Sequence, residues 1–127
     1  MKLNFATFEN FRNIKHFSFE FDERMNILFG KNAQGKTNVI EGIYLFAGGK
    51  SFRRAKDSEM RMFGSDFTML SAEYSAGGRD CKMALRYRDT NRRDMYIGGA
   101  RVTKLADFIG NFRAVLFCPA HLSIVQA

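Results

Sequence analysis

The chain has 127 residues, 46% of them hydrophobic, and 20 Lys and Arg against 13 Asp and Glu give it a net charge of +7. That length supports one hydrophobic core, and no apolar run approaches the roughly 18 residues that a membrane-spanning helix needs. The basic balance favours a polyanionic partner, with a solubilising surface as the plainer alternative.

Leu3 to Phe8 reads as a first strand, and its alternation lacks the continuous apolar stretch of a secretory signal. Glu9-Asn10-Phe11-Arg12-Asn13-Ile14 reads as a polar-aromatic turn. His16 to Asp22 alternates Phe17, Phe19 and Phe21 with Ser18, Glu20 and Asp22, as a half-buried strand antiparallel to the first would. Met25 to Phe29 is a buried strand by pattern, and Asn38 to Ala47 a helix with Val39, Ile40, Ile43, Phe46 and Ala47 on one side. Gly48-Gly49 stops that helix.

A short helix is expected within Asp57 to Phe63, closed by Gly64. Phe67 to Tyr74 and Cys81 to Tyr87 are two strands joined at Ala76-Gly77-Gly78-Arg79, a hairpin signal. In the second, Cys81, Met83, Leu85 and Tyr87 share one face. Lys82, Arg86 and Arg88 take the other; Arg86, Arg88, Arg92 and Arg93 read as a solvated strand face. Asp89 to Asp94 is a polar turn, and Met95 to Val102 folds back at Gly98-Gly99. Thr103 is placed to cap a helix carrying Leu105, Phe108 and Ile109. Ala114 to Cys118 is a buried strand ended by Pro119, and His121 to Val125 begins a helix-like turn. Cys81 and Cys118 form no CxxC pattern and read as small core residues of a reduced, cytosolic protein.

Between the third strand and the first helix stands Gly30-Lys31-Asn32-Ala33-Gln34-Gly35-Lys36-Thr37, which fills every fixed position of G-x-x-x-x-G-K-[ST]. Its flanks are the strand and the helix that the motif requires. Gly30 and Gly35 let the backbone turn tightly and approach a phosphate without a Cβ in the way. Successive N–H groups of Lys31, Asn32, Ala33, Gln34 and Asn38, with the positive end of the helix, then form a concave anion site. Lys36 supplies a point charge for the outer phosphates of ATP, and the Thr37 hydroxyl suits Mg²⁺. A glycine-rich turn that merely joins strand to helix is the rival reading. Arg12 and Asn13 stand in the turn before this strand; an Arg fork suits phosphate or an adenine edge, and a plain surface turn is the rival reading. Lys50, Arg53, Arg54 and Lys56 form the densest basic stretch, placed to follow DNA phosphates or to sense the terminal phosphate.

A complete phosphate-loop hydrolase also needs an apolar strand ending in an acidic residue. The strong apolar run after the loop ends instead in Cys118-Pro119. The chain is therefore expected to bind nucleotide and, on its own, to hydrolyse little or none of it.

Phe11-Arg12-Asn13-Ile14, GKNAQGKTN, Glu41-Gly42-Ile43-Tyr44, Gly49-Lys50-Ser51-Phe52-Arg53 and Val115-Leu116-Phe117-Cys118-Pro119 together resemble bacterial RecF, a DNA replication and repair family related to the SMC-type ATPases. The resemblance implies an α/β phosphate-loop NTPase fold, the N-terminal lobe of an ABC-type ATPase head, with a mixed or antiparallel sheet around the loop's helix. It implies ATP held between two protomers of an ATP-dependent homodimer, DNA as partner, and recombinase loading at gaps together with RecO and RecR. It places Arg12 and Asn13 near the nucleotide. By the same resemblance residues 1–127 are the N-terminal lobe only, without the signature motif and the acidic Mg²⁺ strand. Ala120 departs from the family, which usually has an acidic residue there, and so does the ending Gln126-Ala127. Two other functions stay open at this point. One is a small-molecule phosphotransferase, which would need a lid with arginines and an acceptor pocket. The other is a DNA-binding module with an idle nucleotide site.

Overall fold

The computed structural model describes residues 2–21, 33–88 and 93–112. Among these, six strands build one sheet: β1 (Lys2–Phe11), β2 (Ile14–Glu20), β3 (Phe67–Ala76), β4 (Arg79–Arg88), β5 (Arg93–Ile97) and β6 (Ala100–Val102). They run in the order β2-β1-β3-β4-β5-β6 with every pairing antiparallel. The expected strands at 25–29 and 114–118, and the turn from His121, lie outside the described residues. Helix α1 (Ala33–Gly48) lies on one face of the sheet against β1, β3 and β4. The short α2 (Asp57–Met60) follows it, and α3 (Leu105–Phe108) packs by β5 and β6.

Alternation sets which side chains meet α1, because successive residues of a strand point to opposite faces. The register lines up Phe17, Phe8, Leu70, Leu85, Met95 and Val102 as one apolar row across all six strands. One residue away on each strand, Ser18, Thr7, Ser71, Ala84, Tyr96 and Arg101 form a row on the opposite face. A one-residue slip would exchange the two rows, so burial fixes the register. Gly77 and Gly78 turn the β3–β4 hairpin with φ of 58° and 76°, a pair of left-handed angles that fits a tight two-residue turn. No helix among the described residues is long and apolar enough to cross a membrane.

Four local expectations are corrected. β1 runs on to Phe11, and the turn shrinks to Arg12-Asn13, because Phe11 is fully buried and pairs with Ile14. The buried stripe of α1 is Asn38, Val39, Glu41, Gly42, Leu45 and Phe46, while Ile40 is 40% exposed. The helix is rotated so that Gly42 meets the Phe8 ring, where an added Cβ would lie 2.6 Å from Cζ. Thr103 does not cap α3, whose N-cap is Lys104 without a side-chain bond. Asp94 belongs to β5 rather than to a turn, buried between Arg88 and Arg101 at 3.0 and 2.9 Å.

Candidate functional site

The end of β1, the start of α1 and the loop after α1 converge. At the end of β1 the chain curls: Asn10 and Arg12 both have left-handed φ, 55° and 53°. Non-glycine residues hold such angles only where neighbours enforce them. Here the Arg12 amide donates to the carbonyl of Met60 at 2.7 Å, and the Met62 amide donates to that of Asn10 at 2.8 Å. The curl directs Arg12 across to α1. Its Nε and Nη2 donate to the two carboxylate oxygens of Glu41 at 2.5 and 2.9 Å, a bidentate pair.

Glu41 is fully buried and collects two further donors. The Ser51 hydroxyl donates to Oε2 at 2.5 Å, and Arg53 Nη2 donates to Oε1 at 3.0 Å. Arg53 Nη2 also reaches Asn38 Oδ1 at 2.7 Å, and Asn38 Nδ2 donates to Asn13 Oδ1, again at 2.7 Å. The result is one continuous network through Asn13, Asn38, Arg53, Glu41, Arg12 and Ser51. A carboxylate alone in a core would be costly; this one is held by four donors on two oxygens. Burial by itself pushes the Glu41 carboxyl up, but the bonds from Arg12 and Ser51 and the charges of Arg12 and Arg53 more than offset it, and it lies below its ordinary value. The bond to Glu41 in turn raises Arg12, against the opposing effect of its own burial.

The predicted residues fall out as follows. Gly30, Lys31 and Asn32 lie outside the described residues. The backbone of Ala33, Gln34, Gly35 and Lys36 forms the first turn of α1, with their side chains outside the described part, and Thr37 is half-buried in the next. Asn38, Arg12 and Asn13 are all in the network beside that turn. The basic stretch divides. Arg53 turns inward to Asn38 and Glu41, whereas Lys50 and Arg54 line a cleft of about 430 Å³ with Ser51, Ala55, Asp57 and Arg93. Lys56 is exposed at the N-cap of α2. Arg93, expected on a solvated face, instead donates to the carbonyl of Gly49 at the end of α1. Arg92 lies outside the described residues.

Glu41 and Ser51 stand in the segments that carry the resemblance but were given no site role from the sequence. The one acidic residue of α1, between Ile40 and Gly42, is the signal the sequence offered for Glu41; its burial follows only from the seat of the helix. Among the described residues no group of three or more His, Cys, Asp or Glu could hold a metal.

A family model for an AAA ATPase domain matches residues 1–97. The chain belongs to that family. It is 38% identical over 119 residues to the DNA replication and repair protein RecF of Ruminiclostridium cellulolyticum, covering 93% of this chain and 32% of the relative. A structure of the recombination mediator protein RecF with ATPrS, of the RecFOR pathway, superposes with a TM-score of 0.91 at 31% identity, over 97% of this chain and 33% of that one. An SMC ATPase structure matches at a TM-score of 0.79 and 16% identity, over 99% and 91% of the two chains, which extends the likeness in fold alone. The chain spans about a third of the length of the curated relatives it matches. The expected fold, a phosphate-loop ATPase lobe like that of RecF and SMC heads, is thus met, with its sheet antiparallel over the described strands.

Proposed function

We propose that residues 1–127 form the nucleotide-binding lobe of a RecF-like ATPase that acts in DNA replication and recombinational repair. The observation that carries this reading is the complete GKNAQGKT motif, whose second half forms the first turn of a 16-residue helix, in a chain similar to a RecF bound to an ATP analogue. Gly30, Asn32, Gly35 and the neighbouring amides up to Asn38 cradle the polyphosphate. Lys36 reaches over it, and Thr37 shares Mg²⁺ with its oxygens. Bound Mg·ATP supplies the charge that orders these groups. Arg12 and Asn13 close the side of the site that faces β1.

DNA is the polyanion that the charge of +7 favours, bound in an ATP-dependent manner in single- and double-stranded form. Lys50, Arg54 and Lys56, exposed beside the site, would contact its phosphates. The family resemblance adds an ATP-dependent homodimer and RecO- and RecR-like partners in recombinase loading. Calorimetry on the intact protein tests the core of this reading: Mg·ATP is expected to bind, and Lys36→Ala to abolish binding. Unchanged uptake by the variant overturns it.

A further inference from the structure

We propose that the face of the sheet turned away from α1 docks an acidic segment of a partner protein. Its carboxylates meet Arg86, Arg88 and Arg101, and one of its apolar side chains enters a cavity beside Tyr96. This surface is separate from the nucleotide-binding reading and does not rest on it, since α1 packs on the opposite face.

The charged part is built around a buried carboxylate. Asp94 is 6% exposed, and its Oδ1 accepts from Arg88 Nη2 at 3.0 Å and from Arg101 Nη2 at 2.9 Å. Arg86 stands directly opposite Asp94 in the β4–β5 register, and its guanidinium lies over the Phe67 ring, 5.4 Å from the centroid. Cations that serve only solubility work in any rotamer and need no carboxylate buried among them. Here one shared carboxylate and one ring hold three arginines in place, while the side chains of Arg88 and Arg101 stay 39% and 62% exposed. Three cations against one carboxylate leave positive charge in excess. Among the described residues Arg101 is bonded through Nη2 alone, so its other donors are open to an incoming carboxylate. Arginines ordered in advance lose less rotamer freedom when an acidic ligand docks.

Beside this group lies a cavity of about 240 Å³ lined by Met69, Lys82, Met83, Ala84, Tyr96 and Gly99. Ala84 pairs with Tyr96 across β4 and β5, and its small side chain leaves the space next to the ring. That is room for one aliphatic or aromatic side chain. The lining also decides between an acidic protein segment and a nucleic acid, the other polyanion that three arginines attract. A nucleobase carries polar edge atoms that need partners once buried, and the only polar side-chain groups here are the Lys82 amine and the Tyr96 hydroxyl. An apolar side chain needs no such partners. An arginine cluster that reads acidic residues, next to a pocket that takes one anchor, is a recurring mode of peptide recognition.

The test is a peptide array probed with the intact protein, followed by fluorescence anisotropy in solution. Its peptides carry alanine, leucine, methionine or phenylalanine at the centre, between flanks of aspartate, asparagine or lysine. Leucine between aspartates is expected to bind about tenfold tighter than alanine there, the scale of one buried aliphatic side chain, and about tenfold tighter than leucine between asparagines. Arg86→Ala and Arg101→Ala should each weaken the aspartate-flanked peptides about threefold. Ala84→Leu, which fills the cavity, should remove the preference for a large centre and keep the dependence on flank charge. Arg86 makes no ion pair among the described residues, so Arg86→Ala decides should Arg101→Ala fail to fold. No binding to any aspartate-flanked peptide, or binding that ignores flank charge or the central residue, overturns the proposal. A single-stranded oligothymidylate that binds tighter than every acidic peptide and weakens in the same variants also overturns it, in favour of nucleic acid. Self-association abolished by those variants overturns it in favour of a second copy. Mg·ATP binding should be unchanged in all three variants, and its failure in the wild type would remove the nucleotide-binding reading while leaving this surface untouched.

Discussion

Glu41 is the residue on which three segments depend. Replacing it with Ala leaves two arginines facing a void, and although both are partly exposed, stability is expected to fall by about 2 kcal/mol in chemical denaturation. The pH dependence has a definite sign. The folded carboxyl sits below its ordinary value, so its contribution is present above the unfolded value near about 4.3 and is lost as pH falls through the folded one. Wild type should therefore lose stability steeply below about pH 4, and Glu41→Gln less steeply over the same interval, as thermal melts across that range would record. Tyr87 behaves oppositely in kind. Burial pushes its phenol up to about 12, so it stays neutral through the physiological range and acts as core.

At the scale of elements, the seat of α1 on the sheet is set by one glycine. Gly42 lets the helix backbone lie on Phe8, whose ring is fully buried and packed against Phe11 and Phe17. An alanine there must displace the ring, and Gly42→Ala is expected to cost about 2 kcal/mol by overpacking. A shift of α1 would also carry Glu41 away from Arg12, so the same variant should weaken Mg·ATP binding; unaltered melting and binding would show that the ring yields freely. The other end of α1 is closed by Gly49, at φ 71°, with Leu105 of α3 2.7 Å from where a Cβ would stand. Gly49→Ala combines a left-handed penalty with that contact, and a lowered melting midpoint is expected. Arg93, donating to the Gly49 carbonyl, places a cation at the negative end of the helix.

Taken whole, the molecule presents an apolar row toward α1 and a mixed polar row away from it, with the basic groups split between the two sides of the site. Arg53 faces the network; Lys50, Arg54 and Lys56 face solvent. If these three follow DNA phosphates, each Ala substitution should reduce the slope of log affinity against log salt by about 0.9 on duplex DNA. Arg53→Ala should leave that slope unchanged. Binding isotherms at several salt concentrations separate the two groups, and equal slopes for all four variants would refute the division.

The sequence alone determined what depends on neighbours along the chain. The motif from Gly30 to Thr37 stands out because phosphate cradling needs fixed residue types at fixed spacing; the β3–β4 and β5–β6 hairpins were legible because paired glycines between alternating segments admit few other conformations. Alternation likewise placed Met83, Leu85 and Tyr87 in the core. The helix stripe was read one step out of phase, since Val39, Ile40 and Ile43 are apolar enough to suggest a face that only the Gly42–Phe8 contact rules against. Tertiary structure decided the network: Arg12 and Glu41 are 29 residues apart, and Asn13 and Asn38 are 25 apart. No local propensity joins such positions. They meet because the sheet fixes where β1 ends, α1 is seated on that sheet by its glycine, and a carboxylate buried there must find cations from whichever segments the fold brings alongside.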